Sequence, residues 1–188
     1  MFVEFIIPTF DRVNALKSML SSLVAQSDRD WSAHVLIDSP GDTVMQGVVD
    51  GFLDNRIYST VMDKRYNDWG HSLREIGKQT SEADYVILTC DDNYYMPNVV
   101  AELRQNSIAR PGIVYWDMVH SHYSYHYFKC SPAYNQIDMG SFATRTDMAK
   151  QVKMNTTYAA DGEFIDDVKK AFPNEKIVRI DKVMFVHN

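Results

Sequence analysis

The chain has little cysteine. Cys90 and Cys130 are the only two in 188 residues, and their separation matches no paired-thiol motif. That excludes a disulfide-stapled scaffold and a cysteine-built zinc module. Long apolar runs are missing as well; none approaches the ~20 residues that a membrane span needs. The opening stretch Met1 to Pro8 is apolar but brief, with no basic region before it. It reads as a buried strand and not as a signal peptide. These absences together lead us to expect reduced thiols in a cytoplasmic protein. Basic excess is absent too: 19 Lys and Arg face 25 Asp and Glu, a net charge of −6, which argues against a nucleic-acid binder. No repeat, low-complexity tract or Pro/Gly/Ser linker interrupts the chain, and its length suits one well-cored domain, residues 1–188.

What is present is a regular alternation. Phe2 to Ile7 is a strand-like apolar run stopped by Pro8, and Val13, Leu16, Leu20, Leu23 and Val24 then recur at helical spacing within Asp11 to Gln26. Ala33 to Ile37 reads as a strand, Val44 to Leu53 as a helix and Arg56 to Val61 as a strand. Gly70 to Thr80 reads as a helix, and Tyr85 to Thr89 as a strand running into Cys90-Asp91-Asp92-Asn93. Pro97 suits the first turn of a helix reaching about Asn106. Such an order implies an α/β fold with a mainly parallel sheet covered on both faces, in which ligands sit beyond the carboxyl ends of the strands. Pro8-Thr9, Asp38 and Asp91-Asp92 all fall at that end. The second half changes character, with strands expected at Gly112 to His120, Tyr125 to Lys129 and Ile137 to Thr144. A helix from Asp161 to Ala171 and a strand from Lys176 to Val186 follow. A Rossmann-like nucleotide-binding half, about 1–106, followed by an acceptor-binding and catalytic half, about 107–188, is the plan of a two-substrate transferase.

Several ordered segments carry a resemblance. Phe5-Ile6-Ile7-Pro8-Thr9-Phe10-Asp11-Arg12, Val35-Leu36-Ile37-Asp38-Ser39 and Asn67-Asp68-Trp69-Gly70-His71 with Arg74 come first. Thr89-Cys90-Asp91-Asp92-Asn93 before Pro97, Ile137-Asp138-Met139-Gly140-Ser141 and Ala160-Asp161-Gly162-Glu163-Phe164 follow. In this order they resemble glycosyltransferase family 2, inverting enzymes of GT-A fold, over nearly the whole length. The resemblance implies a metal-dependent transfer from a nucleotide sugar, UDP-linked by the argument below, to a carbohydrate or other hydroxyl acceptor. It implies Mn²⁺ or Mg²⁺ at a DxD-type turn, with Asp92 on the metal and Asp91 on the ribose. His187 is a further candidate ligand, although a solvated chain end explains it equally. Pro8, Thr9, Asp11, Arg12, Asp38, Gly70 and Arg74 are implied on the nucleotide side, and Asp161 as the catalytic base. The turn here is Asp-Asp-Asn, with Cys90 where many members carry an acid.

The chemistry fits these residue types. Expelling a diphosphate needs its developing charge stabilised, and hard cations take oxygen ligands with few protein carboxylates. An acidic chain must otherwise supply placed cations of its own. Asp38 can accept from the N3–H of uracil, a donor that cytosine lacks, or can simply shape an Asp-Ser-Pro-Gly turn. Arg74 can pair with the diphosphate or sit exposed on a helix; Gly70 can allow close approach or start that helix. Asp161 serves as a positioned base or as a helix N-cap; Glu163, Asp166 and Asp167 are alternative bases expected to face solvent, and Asp138 is a further fallback. His120, His122 and His126 share one parity, a zinc-like pattern. The interleaved Tyr123, Tyr125 and Tyr127, and the lack of a nearby acid, favour an acceptor-binding loop. The rival functions are a sugar nucleotidyltransferase and a non-catalytic carbohydrate- or nucleotide-sugar-binding protein of the same fold. The first would carry a glycine-rich loop after the opening strand, where this chain has none.

Overall fold

A computed structural model describes residues 1–188. The strands are β1 (Val3–Thr9), β2 (Trp31–Ile37), β3 (Ile57–Val61), β4 (Tyr85–Leu88), β5 (Tyr94–Tyr95), β6 (Ile113–His120), β7 (His126–Phe128), β8 (Phe142–Arg145) and β9 (Ile177–His187). The helices are α1 (Val13–Val24), α2 (Thr43–Asp50), α3 (His71–Thr80), α4 (Val99–Asn106), α5 (Thr146–Ala149) and α6 (Ala160–Ala171). All strands belong to one sheet in the order β3-β2-β1-β4-β8-β6-β9-β5, with β7 alongside β6. The pairs β1–β2, β1–β4, β2–β3 and β6–β9 are parallel, whereas β8 runs antiparallel between β4 and β6.

Burial follows from position in that sheet. Every residue of β1 and β2 is buried, as central parallel strands covered on two faces require, whereas the edge strand β3 alternates between buried or half-buried positions and exposed ones. Helix α1 buries Leu16, Met19, Leu20 and Leu23, one stripe at i, i+3, i+4 and i+7. Helix α3 lies close on the sheet because it carries Gly77, where an added Cβ would stand 2.4 Å from Ile6 Cγ2. One continuous cluster of 45 buried apolar residues joins both halves of the chain. The two halves of the sequence are therefore not two cores.

The structure corrects several local expectations. The strand expected over Ile137 to Thr144 begins only at Phe142. Before it Asp138 caps a 3₁₀ turn, Met139–Ser141, through a reciprocal bond with Ser141, and Thr146–Ala149 then adds a short helix. Helix α1 starts at Val13, because Asp11 takes a left-handed φ of 50°. Asp161 is not the N-cap of α6. Ala159 holds that position without a side-chain cap bond, so Asp161 lies inside the first turn. The run from His120 to His126 is not extended: a 3₁₀ turn over Ser121–Tyr123 and left-handed Ser124 and Tyr125 break it.

Candidate active site

The parallel strands β1, β2, β4, β6 and β9 end at one side of the sheet, and their carboxyl ends open into a cavity of about 1330 Å³. Pro8, Thr9, Phe10, Asp11 and Arg12 line it from β1, Asp38 from β2, and Cys90 and Asp92 after β4. His120 enters from β6 and His187 from β9, and Asp138, Asp161, Gly70, His71 and Arg74 complete its floor. Of the residues expected from the sequence, only Asp91 does not line the cavity.

Asp91 lies beneath the floor, fully buried. Its Oδ2 accepts from the Thr9 hydroxyl at 2.6 Å, and its Oδ1 stands 2.5 Å from Arg12 Nη2. Arg12 spans both neighbouring acids, since its Nη1 contacts Asp92 Oδ2. The two carboxylates at the end of β4 thus divide as alternation out of a strand requires, Asp91 inward to hold Thr9 and Arg12, Asp92 toward the cavity. Burial pushes the Asp91 carboxyl up to about 6, against the pull of Thr9 and Arg12. In this geometry Asp91 holds those two side chains and does not face the cavity, where a ribose contact was expected from the sequence.

Asp38 is buried at the end of β2, where its two oxygens accept the amides of Tyr66 at 2.8 Å and Asn67 at 3.1 Å. It therefore shapes a turn, but a distant one, between β3 and α3. A carboxylate retains lone pairs beyond those two bonds, so acceptance from a base remains open to it. Arg65 sits 3.9 Å from Asp38 and stacks over the Phe10 ring at 3.1 Å, closing this end of the cavity. Gly70 has a φ of 82°, and a Cβ there would fall 2.5 Å from Pro8 Cβ. The close approach foreseen for Gly70 is thus to Pro8.

Arg74 is neither exposed nor free. It is buried, with Nε donating to the Thr89 carbonyl and Nη1 to the Trp69 carbonyl, each at 3.0 Å, while Nη2 contacts Cys90. Its charge favours the ionised forms of Asp138 and Asp161. Both carboxyls are nonetheless raised to about 6, first by burial; Asp138 then raises Asp161 further by like-charge repulsion. Asp138, which the sequence analysis left as part of an acceptor-side strand, stands 3.6 Å from His187 Nε2. His187 also contacts the Ser121 hydroxyl at 3.1 Å and stacks on His120, with ring centroids 4.1 Å apart. Burial and the neighbouring histidines hold His120 down at about 4. His126 takes no part and is exposed on β7. Glu163, held by Asn155 and Thr157, and Asp166, paired with Lys169, also lie outside the cavity lining, as does exposed Asp167.

A divalent cation suits the donor set facing this cavity. Asp92, after β4, and His187, at the end of β9, both line it, with Asp138 3.6 Å from His187 Nε2. No three His, Cys, Asp or Glu side chains converge closely enough to cage an ion by themselves.

No family model matches the chain, and no curated protein does. Solved structures do. S. aureus TarS 1-349 in complex with UDP aligns with 99% of this chain and 60% of its own, at 15% identity and a TM-score of 0.76. The complex of TarS 1-349 with UDP-GlcNAc gives 99% and 58%, 14% identity and a TM-score of 0.75. Mannosyltransferase PcManGT from Pyrobaculum calidifontis, in complex with GDP-Man and Mn²⁺, gives 98% and 56%, 13% identity and 0.75. The fold is a GT-A-like glycosyltransferase fold. At these identities the architecture is what is shared, and the chain spans about 60% of the length of the first of these proteins. No helix of the chain is long and apolar enough to cross a membrane.

Proposed function

We propose that the chain transfers a sugar from a nucleotide sugar, UDP-linked, to a hydroxyl of a carbohydrate or other acceptor, with inversion at the anomeric carbon. One observation carries the reading. Asp92 and His187 face the same cavity as Asp161, a half-buried carboxylate whose raised basicity, with a value of about 6, suits proton transfer near neutral pH. Residues 1–106 would then serve the donor and 107–188 the acceptor, across one continuous sheet. Both cysteines are free thiols, in keeping with a cytoplasmic location.

Asp92 and His187 would hold Mn²⁺ or Mg²⁺, which when bound supplies charge neutralisation for the departing diphosphate. The chain's own residues do the rest. Asp161 takes the proton from the acceptor hydroxyl as that oxygen attacks opposite the diphosphate. Asp138 and Arg74 set its basicity from either side, one raising and one lowering it. Thr9 and Arg12 are oriented by Asp91, with Arg12 the cation nearest the diphosphate side. Pro8, Phe10 and Asp38 frame the base, with Asp38 selecting uracil; Asp11 lines the rim, and Gly70 lets the α3 turn lie against Pro8. A non-catalytic binder of the same fold has no use for a second buried carboxylate that destabilises Asp161. The test is a screen of nucleotide sugars for metal-dependent hydrolysis and transfer, with the product anomer read by NMR. Transfer with inversion supports the reading. Retention, or no turnover with any donor, removes it.

A further inference from the structure

The chain has three tryptophans, and two of them, Trp31 and Trp116, are fully buried. The third, Trp69, is 64% exposed, and the ring nearest to it across the cavity, Tyr158, is 76% exposed. An indole left in water is costly, because Trp carries one of the largest apolar surfaces of any side chain. The backbone beneath it is costly too. Trp69 has a φ of 56°, a left-handed conformation that a bulky residue rarely adopts. Three features hold the turn in that state. Asp38 accepts the amides of Tyr66 and Asn67, Arg74 donates to the Trp69 carbonyl, and Gly70 fits against Pro8 only for want of a Cβ. The fold thus fastens the strained residue at its carbonyl and leaves its ring in solvent. Strain maintained in this way is compatible with a ligand-binding role, which the exposed ring beside the cavity then has to carry.

Tyr158 reaches the same place from another element. It sits in the turn that leads into α6, the helix whose first turn presents Asp161. The Trp69 and Tyr158 rings stand 6.0 Å apart at an interplanar angle of 78°, so they form two walls of an open corner, one ring turned on edge to the other. Both line the cavity that holds Asp161. A flat apolar patch would suit a protein partner. A right-angled aromatic corner with carboxylate and imidazole groups beside it suits a small ring that is apolar on one face and hydroxylated at its edge. A pyranose is such a ring: its axial C–H groups meet the negative face of an aromatic system, and its hydroxyls meet polar neighbours.

We propose that Trp69 and Tyr158 form a carbohydrate subsite, and that a pyranose of the acceptor stacks there beside Asp161. The inference deepens the transferase reading by naming the acceptor class, and it rests on that reading for the word acceptor. The placement follows from chemistry. The group that takes the acceptor's proton must touch the acceptor, and Tyr158 enters the site on the same chain segment as Asp161.

The experiment uses the full chain, fluorescently labelled, on a printed array of pyranose oligosaccharides, with UDP affinity measured in parallel by calorimetry in the presence of Mn²⁺. The variants are Tyr158→Ala and Trp69→Asn, the latter because Asn tolerates a left-handed φ and removes the ring while keeping the turn. Melting temperature reports folding, and Tyr158→Phe provides a conservative control. The native chain should bind a subset of the array, Tyr158→Phe should retain that binding, and the double variant should lose it by about tenfold or more. UDP affinity should stay within about twofold of native. An array that is blank for the native chain, or binding that survives in a folded double variant, overturns the subsite. A tenfold fall in UDP affinity in Trp69→Asn overturns the acceptor assignment by putting the ring on the donor side. Ring-dependent glycan binding in a protein that turns over no donor upholds the subsite while sinking the proposed transfer, so the two failures are distinguishable.

Discussion

Replacing Asp161 with Asn separates the catalytic account from a structural one, because the two predict opposite stability changes. The substitution keeps shape and hydrogen-bonding reach. The Met139 amide that faces the carboxylate can be met by the Asn carbonyl, and no helix cap is lost because Ala159 is the N-cap. What changes is charge. Burial, then Asp138, raises the Asp161 carboxyl from 3.8 to about 6, against Arg74 and His71. A carboxyl whose folded value lies above its unfolded value costs the fold nothing while both states are protonated. It destabilises the fold progressively as pH rises from about 4 to about 6, and fully above that. The difference of roughly two units corresponds to about 3 kcal/mol as an upper bound, reduced by the partial solvent access of the side chain. At neutral pH the Asn variant should therefore melt higher than the native chain, by about 2–4 °C for each kcal/mol recovered. Its transfer rate should fall by ~10²–10⁴, the usual worth of a positioned base. If the native chain carries out the proposed transfer, its kcat/KM should drop on the acid side with a midpoint near 6, where Asp161 takes up its proton. The assay is paired: initial transfer rate and thermal melting on one preparation, with donor affinity as the control. An unchanged rate would refute the base. A variant that melts lower than native would refute the electrostatic reasoning from which the raised basicity of Asp161 is drawn.

Three further outcomes follow from the same geometry. Chelation of divalent metal should weaken UDP binding sharply, and Asp92→Ala should do so with little change in melting temperature. Asp91→Ala should instead lower stability by ~1–3 kcal/mol, because it strips Thr9 of its buried acceptor; calorimetry with and without Mn²⁺, beside thermal melts, checks both. UDP should bind the native chain at least about tenfold more tightly than CDP, the worth of a hydrogen bond to a charged acceptor, and equal affinities in a competition assay would remove Asp38 from base recognition. Gly70→Ala should destabilise by ~1–3 kcal/mol from backbone strain, and by more if Pro8 cannot give way, since the new Cβ would lie 2.5 Å from Pro8 Cβ; a melt with native-like stability would show that the turn can move.

The parallel half of this fold was legible because its signals are local. Period and turn residues place β1, α1, β2, α2, β3, α3, β4 and α4 within a few residues of where they stand. The carboxyl-end rule then gathers Pro8, Thr9, Asp38 and Asp92 at one cavity. What escaped depends on contacts across the chain. Nothing in Phe142 to Arg145 says that this short strand inserts antiparallel between β4 and β6. Tyr94–Tyr95 is a strand only because β9 arrives beside it. His120 and His126 share parity in sequence, but left-handed Ser124 and Tyr125 send them apart, while His187 joins His120 from 67 positions away in the chain. Asp138 belonged to a segment read as strand. Its role as a cap, and its position against His187, required the turn at Met139–Ser141 to be seen.

Charge explains why the two arginines of the site were the hardest residues to read. A sequence of net charge −6 that handles a diphosphate needs local cations, and Arg12 and Arg74 looked available for that purpose. In the fold both are already committed to the protein's own acids. Arg12 lies on Asp91 and Asp92, and Arg74 faces Asp138 and Asp161 from within the floor. Four carboxylates against two guanidiniums leave two formal negative charges, because burial pushes the His120 and His187 imidazoles below their ordinary value and keeps those rings neutral near pH 7. A surplus of two negative charges on partly buried groups raises the remaining carboxyls and repels a bare diphosphate. The same surplus is matched by one divalent cation. On this argument the site's affinity for a nucleotide diphosphate and its basicity at Asp161 are coupled. Neutralising the charge near Asp92 should draw the acid limb of kcat/KM below 6, and raising the cation concentration through its binding range should reveal that shift directly.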